Sequence, residues 1–244
     1  MAKTHKQFVD EDFLRVIDFF KAGHILPASP PADLLVAAKS IHCHVYSLML
    51  WQFRLPATQS HYRVFVDEIG SDAIQVLPLL FSGYHKCAAL VLRGMVENLL
   101  RHIYFFDHRI EFIRMNHEPK WYVSVEDLFK YVVAHPIFMQ TEQQFDAISR
   151  CKGLYDDLSA HVHGRKVTNL EQRRALKSIK RDPAKLDIFA KLVVRCAIAI
   201  NFSLAAFHYE KFRGFPTLDR SLILRLLPPQ ARTAFRLFPI DYEV

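Results

Sequence analysis

Residues 72–107 read DAIQVLPLLFSGYHKCAALVLRGMVENLLRHIYFFD, and this stretch decides the fold class. Its apolar residues recur at helical spacing, and its second part is apolar on nearly every side, which predicts a long buried helix. One polar row interrupts that part, because Arg93, Glu97 and Arg101 are four residues apart and share a helix face. A polar row in a buried helix is costly unless its members are paired or used in function.

Proline and glycine positions divide the rest of the chain into further helices. We expect the long helix to bend at Pro78 or break near Gly83, Asp33 to cap an earlier helix, and Gly153 to separate two later ones. Apolar spacing predicts the other helices at about residues 8–21, 33–53, 60–70, 124–135, 141–151, 154–163 and 184–212.

Composition agrees with an all-α protein. The chain has 244 residues, 51% of them hydrophobic, and its seven glycines and twelve prolines are too few for many short strands joined by tight turns. No linker is visible, so we predict a single helical domain over residues 1–213. Residues 214–244 form a C-terminal tail that is expected to pack on the core or on a partner.

The cysteines and the hydropathy pattern indicate a cytoplasmic protein. Four cysteines lie far apart, each in an apolar run, which is typical of reduced packing residues. The first residues contain no apolar signal region, and the most hydrophobic late stretch, 186–207, is interrupted by Lys191 and Arg195. We therefore expect no membrane association.

Positive charge is concentrated in the C-terminal part of the chain. The net charge is +7, but residues 1–149 carry −2 and residues 150–244 carry +9. Residues 165–181, called the basic segment below, contain seven basic residues and one acid, which indicates either a phosphate-binding surface or a solvated helix face. The predicted nucleic-acid contacts are Arg165, Lys166, Arg173, Arg174 and Lys177.

The familiar motifs of nucleotide folds, hydrolases and metal sites are absent from the sequence. It has no glycine-rich phosphate loop, no GxSxG elbow and no HExxH pair. The closest metal-ligand groupings are His42-Cys43-His44 and His161-Val162-His163, and residues two apart on a helix point to different faces. We expect no metal and no cofactor.

The strongest local signal is LYDDLSAHVHGR at residues 154–165. On a helix, Tyr155, Ser159 and His163 follow each other at intervals of four and share one face. Gly164 comes next, and it can end the helix or allow a phosphate to approach closely. A helical-frame error of a single residue would exchange His161 with His163, so the sequence leaves open which of them faces the site.

A long helix with an R-x-x-x-E row, followed by a helix of the form L-Y-x-x-L-S-x-x-V-H-G, resembles the HEPN-like all-helical domains, in particular an uncharacterised bacterial branch of them. The resemblance covers residues 72–207 and implies a bundle of four or five helices, with added N-terminal helices and a C-terminal extension here. The resemblance implies a protein that binds RNA or nucleotides. It also implies that the protein forms a homodimer or pairs with another protein of the same bacterial phage-defence or toxin–antitoxin module. Catalytic members of the family are metal-independent endoribonucleases.

The resemblance also implies roles for the candidate catalytic residues, which are His163, Arg93, Glu97, Ser159 and Tyr155. His163 would be the general acid or base, Arg93 the phosphate ligand and Glu97 the carboxylate that orients it, with Tyr155 or Ser159 as a positioning hydroxyl. Catalytic members carry an arginine shortly before the histidine, whereas this chain has Leu158 there. The alternative sources of positive charge are Arg93, Arg165, and Arg101 paired with His108.

Two other functions compete with this interpretation. In the first, the protein is a non-catalytic interaction or regulatory protein, its polar residues are structural and its tail docks on a partner. Leu158 favours this alternative. The second is a small-molecule enzyme with a pocket between helices, for which the sequence contains no motif.

Overall fold

The computed structural model describes residues 5–55, 62–165, 167–171, 173–175 and 178–237. Over these ranges the chain forms twelve α-helices and no β-strand, so the predicted all-α class is confirmed. The helices are α1 (His5–Ala22), α2 (Ala32–Arg54), α3 (Arg63–Phe81), α4 (His85–Asp107), α5 (Arg109–His117), α6 (Val125–Ala134), α7 (Pro136–Phe145), α8 (Ala147–His163), α9 (Pro183–Phe207), α10 (Tyr209–Arg213), α11 (Thr217–Leu226) and α12 (Pro229–Leu237). A short 3₁₀ helix, Val167–Asn169, lies between α8 and α9.

Five of these helices form the central bundle. Helix α4 packs against α3, α8 and α9, and α2 packs against α3 and α9. Trp51 of α2 is fully buried, and its Nε1 donates a 2.8 Å hydrogen bond to Asn201 Oδ1 of α9. Asn201 in turn donates from Nδ2 to Ser47 Oγ at 2.8 Å, so the buried polar groups at this contact satisfy one another.

Helix α3 continues through Gly70, where the sequence predicted a helix end. A Cβ at Gly70 would lie 2.5 Å from Gln52 Oε1 of α2, so this glycine allows two helices to approach closely. Pro78 lies inside α3, and the break before α4 falls at Gly83, whose φ is 79°. Of the two places where the sequence predicted a bend or break, the chain therefore breaks at the glycine.

Helix α8 is also longer than its sequence suggested. It runs through the exposed Gly153 and begins after Asp146, which has a left-handed φ of 51°. Glu142 accepts hydrogen bonds from the amides of Ile148 at 2.7 Å and Ser149 at 3.0 Å, and so caps the helix start. The predicted cap at Asp33 is wrong as well, because Asp33 lies in the first turn of α2 and Pro31 occupies the N-cap position.

The C-terminal tail packs against the bundle over its described part. Helix α11 lies against α2, where Arg54 Nε donates to Asp219 Oδ2 at 2.6 Å. Helix α12 lies against α7, and the Phe235 ring is 5.1 Å from that of Phe202. Residues 238–244, the end of the predicted tail, lie outside the described residues.

Within the described ranges, two helices have the length and apolarity of a membrane span. They are α2 and α9, and 50% and 61% of their apolar windows are buried inside the molecule. Core helices of soluble proteins meet the same criteria, so this is weak evidence for a membrane.

Candidate functional site

The polar row predicted on α4 forms a chain of ion pairs. Arg93 Nη2 lies 3.0 Å from Glu97 Oε1, and Arg101 Nη2 lies 3.4 Å from Glu97 Oε2. The Glu97 side chain is 16% exposed, so it is largely removed from solvent. Glu97 therefore shares its two oxygens between two guanidinium groups on the same helix face.

Tyr155 of α8 joins this row from the neighbouring helix. Its hydroxyl accepts a 2.6 Å hydrogen bond from Arg93 Nη2 and donates to Glu97 Oε1 at 3.1 Å. The Arg93 guanidinium also lies over the Tyr155 ring, 5.0 Å from the centroid. Burial raises the pKa of Tyr155, so the hydroxyl keeps its proton near neutral pH. We call these four residues, Arg93, Glu97, Arg101 and Tyr155, the Arg93 cluster.

The Arg93 cluster is better suited to packing than to phosphate binding. A carboxylate lies at its centre, and a phosphate placed there would meet the negative charge of Glu97. The Arg93 side chain is 22% exposed, and its Nε is buried and has no hydrogen-bond partner among the described residues. The cluster mainly joins α4 to α8.

The other two candidate catalytic residues lie apart from this cluster. His163 is the last residue of α8 and is exposed, and eight residues separate it from Tyr155, about 12 Å along the helix axis. Within the described residues no hydrogen bond or ion pair joins His163 to Arg93 or Glu97. Ser159 lies between Tyr155 and His163 on α8, is 4% exposed, and its Oγ has no hydrogen-bond partner among the described residues. The five predicted residues therefore do not form one site. Arg93 and Glu97 of α4 contact Tyr155 near the middle of α8, whereas His163 lies at the end of α8.

Two positions could place an arginine next to a catalytic histidine: position 158, where this chain has leucine, and the pair of Arg101 with His108. The structure brings an arginine to a histidine at neither of them. Leu158 is fully buried in the core, so an arginine at this position would have no access to a ligand. The His108 ring stacks on Tyr104 with centroids 4.1 Å apart, and its Nδ1 lies 2.8 Å from the Tyr104 carbonyl oxygen. Arg101 is engaged with Glu97 instead.

The histidine that faces a cavity is His161. Its ring lies 5.3 Å from Phe189 of α9, and the ring of His85, the first residue of α4, lies 5.6 Å from the same phenylalanine. The end of α8 therefore meets the start of α4, so these helices are antiparallel. A cavity of about 130 Å³ lies there, and His85, His161, Asn169, Glu171, Lys185 and Phe189 are among its lining residues.

Glu171 is the central group beside this cavity. Its carboxylate lies 3.2 Å from His85 Nδ1, 3.0 Å from Arg173 Nη2 and 3.0 Å from Lys185 Nζ. Burial opposes ionisation, but the hydrogen bonds from Lys185 and Arg173 outweigh it and lower the pKa of Glu171. Burial lowers the pKa of His85 despite the nearby carboxylate, so His85 is neutral at neutral pH.

The basic segment is attached to the loop that precedes α4. Arg173 Nη2 donates a 2.6 Å hydrogen bond to the Gly83 carbonyl oxygen, and a Cβ at Gly83 would collide with the backbone of Lys180. Arg173, predicted to contact nucleic acid, is thus engaged inside the protein. Arg165 and Arg174 are exposed, and Lys166 and Lys177 lie outside the described residues.

Sequence reasoning missed His85, Glu171 and Lys185. These residues are far apart in the chain, and no spacing rule joins them. One signal was available: Glu171 is the single acid among seven basic residues. An isolated acid in such a segment marks a position where the segment is paired internally.

Comparisons with known proteins identify no relative. Neither protein-family models, nor curated proteins, nor solved structures give a match. Among the described residues, no group of three or more His, Cys, Asp or Glu side chains could hold a metal ion.

Proposed function

We propose that this chain is a HEPN-like protein that binds RNA or nucleotide phosphates through one basic end of its helical bundle. The observation that supports this most strongly is the attachment of the basic segment to the loop before α4, through Arg173 and Gly83. We call the exposed cations at this end the basic face, and they are Lys86, Arg165, Arg174 and Lys180.

The electrostatics of this end favour phosphate. Glu171 is held by Lys185 and Arg173, so the acid of the basic segment is already neutralised. The exposed cations of the basic face then remain available to replace the counterions of a nucleic-acid backbone. Such contacts position a chain of phosphates without reading its sequence.

A pair of matched variants tests the binding proposal. Arg165→Gln with Arg174→Gln removes two charges from the basic face, and Arg109→Gln with Lys120→Gln removes two exposed charges beyond the opposite end of α4. We expect the first variant to bind a single-stranded RNA at least tenfold more weakly and the second to bind as the wild type does. Equal losses in both variants would attribute binding to net charge and contradict the proposal.

Ribonuclease activity is the stronger form of the same proposal. His163 is exposed at the end of α8, and the exposed Arg165 is only two residues away. Because Arg93 is engaged with Glu97 and Tyr155, Arg165 is the better source of the charge that stabilises a phosphorane. His163 would then transfer the proton, and the Arg93 cluster would hold α8 in place.

Incubation with RNA in excess EDTA tests this activity. We expect the wild type and an exposed control, His117→Ala, to produce the same fragments, and His163→Ala and Arg165→Gln to produce none. Cleavage that persists in a folded His163→Ala protein would remove the assignment.

A second candidate, the non-catalytic interaction protein, is supported by α5. This helix has no buried residue, and Ile110 and Ile113 are 73% and 47% exposed. An apolar face of this kind is typical of a surface that contacts a second copy or a partner protein. The interaction function would be favoured if the protein does not bind RNA and if it self-associates in a way that Ile110→Asp abolishes.

A further inference from the structure

The N-terminus of α4 lies beside the 130 Å³ cavity and has no side-chain cap. Its N-cap residue, Tyr84, makes no capping hydrogen bond from its side chain. The first N–H groups of a helix have no acceptor within the helix, and they carry the positive end of the helix dipole. His85 and Lys86 of this first turn both line the cavity.

His85 presents a buried acceptor at the same place. It is 2% exposed, and its Nε2 has no hydrogen-bond partner among the described residues. Its Nδ1 lies 3.2 Å from the ionised Glu171 carboxylate, which can only accept, so Nδ1 carries the proton. The neutral ring therefore has its lone pair on Nε2, and a ligand that satisfies this nitrogen must bring a proton.

Charged groups from three segments line this cavity or pair with a residue that lines it. Lys86 comes from α4, Lys185 from α9, and Glu171 and Arg173 from the basic segment. Three cations against one carboxylate leave an excess of positive charge. This excess favours an anion in the cavity, and the lone pair on Nε2 favours an anion that carries a hydroxyl.

The size of the cavity limits the anion further. A volume of about 130 Å³ is well below that of typical sites for whole organic ligands. Lys86 and Thr168, which line it, are exposed, so the cavity opens to solvent and can admit one end of a larger molecule. The phosphate group of a phosphomonoester fits these requirements, because it is small, anionic and able to carry one proton near neutral pH.

We propose that this cavity binds a phosphate group, either free phosphate or the end of a phosphomonoester, held by the N-terminal turn of α4, Lys86 and Lys185, with one proton shared between His85 Nε2 and a phosphate oxygen. The bound proton comes with the monoprotonated phosphate or is taken up from water when the dianion binds. The inference deepens the proposed binding of nucleotide phosphates and rests on it through Lys86, which the cavity shares with the basic face, but it requires no RNA and uses none of the exposed arginines of that face.

A titration followed by ¹⁵N NMR of the histidine rings tests the proposal, with inorganic phosphate, sulfate and adenosine monophosphate as probes. At about pH 7.5 we expect phosphate to bind in the millimolar range or more tightly and to shift His85 Nε2 toward its protonated position. Sulfate should bind at least tenfold more weakly, because it brings no proton. Adenosine monophosphate that binds more tightly than phosphate identifies a nucleotide as the source of the group, and weaker binding identifies free phosphate.

Two variants and one control complete the test. His85→Gln removes the acceptor, and because His85 is buried, Lys86→Gln at an exposed position serves as the second variant. Each should weaken phosphate binding at least fivefold, whereas Lys130→Gln, exposed on α6, should not. The proposal is overturned by equal binding of phosphate and sulfate, or by a His85 signal that phosphate does not shift. The double variant of Arg165 and Arg174 should still bind phosphate, which separates this site from RNA binding.

Discussion

Acidification should destabilise the protein through a buried pair of histidines that joins α4 to the residue after α9. His102 and His208 are 0% and 5% exposed, and their Nε2 atoms lie 2.7 Å apart. His102 Nδ1 lies 3.0 Å from the Tyr62 carbonyl oxygen, so Nδ1 donates there and Nε2 accepts from His208. Protonation of His102 would place its Nε2–H directly opposite the Nε2–H of His208, so this hydrogen bond would be lost.

The size of the effect follows from the pKa of His102. Burial lowers this pKa from 6.5 to about 4. Because the folded value is the lower one, the unfolded chain takes up the proton first, so stability is complete above about pH 6.5 and falls as the pH drops toward 4. His102 alone should cost about 2 kcal/mol by pH 5 and about 3 kcal/mol in all. Burial also lowers the pKa of His208, which acts in the same direction.

Urea denaturation at about pH 7.5 and pH 5 measures this effect. His102→Gln should lower the free energy of unfolding at pH 7.5, because it disturbs a buried hydrogen bond, and should lose about 2 kcal/mol less than the wild type on going to pH 5. The control His117→Gln, exposed on α5, should keep the pH dependence of the wild type. Equal losses in the wild type and His102→Gln would refute the reasoning.

Three further predictions concern packing and charge. Glu97→Gln leaves the Arg93 guanidinium without its carboxylate and should lower the free energy of unfolding by about 1–3 kcal/mol, with RNA affinity unchanged in an anisotropy titration. Gly70→Ala should change the free energy of unfolding by less than about 1 kcal/mol in urea denaturation, because the gain in helix propensity offsets the displacement of the flexible Gln52 side chain, and Gln52→Ala in the same chain should add stability by removing that displacement. Burial, with a smaller contribution from Glu68, raises the pKa of Asp72 to about 6, so its charged form opposes folding as the pH rises. Asp72→Asn should therefore be more stable than the wild type at pH 8, and this advantage should shrink as the pH falls through 6.

Each of these has a result that would contradict it. A loss of RNA affinity in a folded Glu97→Gln protein would show that the Arg93 cluster takes part in RNA binding. A Gly70→Ala protein that Gln52→Ala does not stabilise would show that displacing the Gln52 side chain costs nothing. A stability difference between Asp72→Asn and the wild type that is the same at pH 5 and pH 8 would exclude titration of this carboxyl.

The sequence predicted features that depend on local spacing. Arg93, Glu97 and Arg101 are neighbours on one helix face because a helix brings residues four apart together. The break at Gly83 was one of two predicted positions, since a glycine readily adopts a positive φ. Gly70 and Gly153 misled the prediction, because a glycine that permits close packing and a glycine that ends a helix look alike in sequence.

The cavity could not be predicted from the sequence because its lining residues are far apart in the chain. His85 and Glu171 are 86 residues apart, and their contact depends on how the basic segment returns to the start of α4. No periodicity records such a contact. The same applies to His161: helix geometry places His161 and His163 on different faces, but the sequence does not show which face α9 and Phe189 cover.

The salt dependence of RNA binding tests the central claim most directly. Affinity for a single-stranded RNA would be measured by fluorescence anisotropy over a series of salt concentrations, with EDTA present. If the four cations of the basic face each contact a phosphate, the logarithm of the association constant should fall with the logarithm of salt concentration at a slope near −3, and the Arg165 and Arg174 double variant should reduce that slope by about 1.4. A slope near zero, or one that the double variant leaves unchanged, would contradict the account.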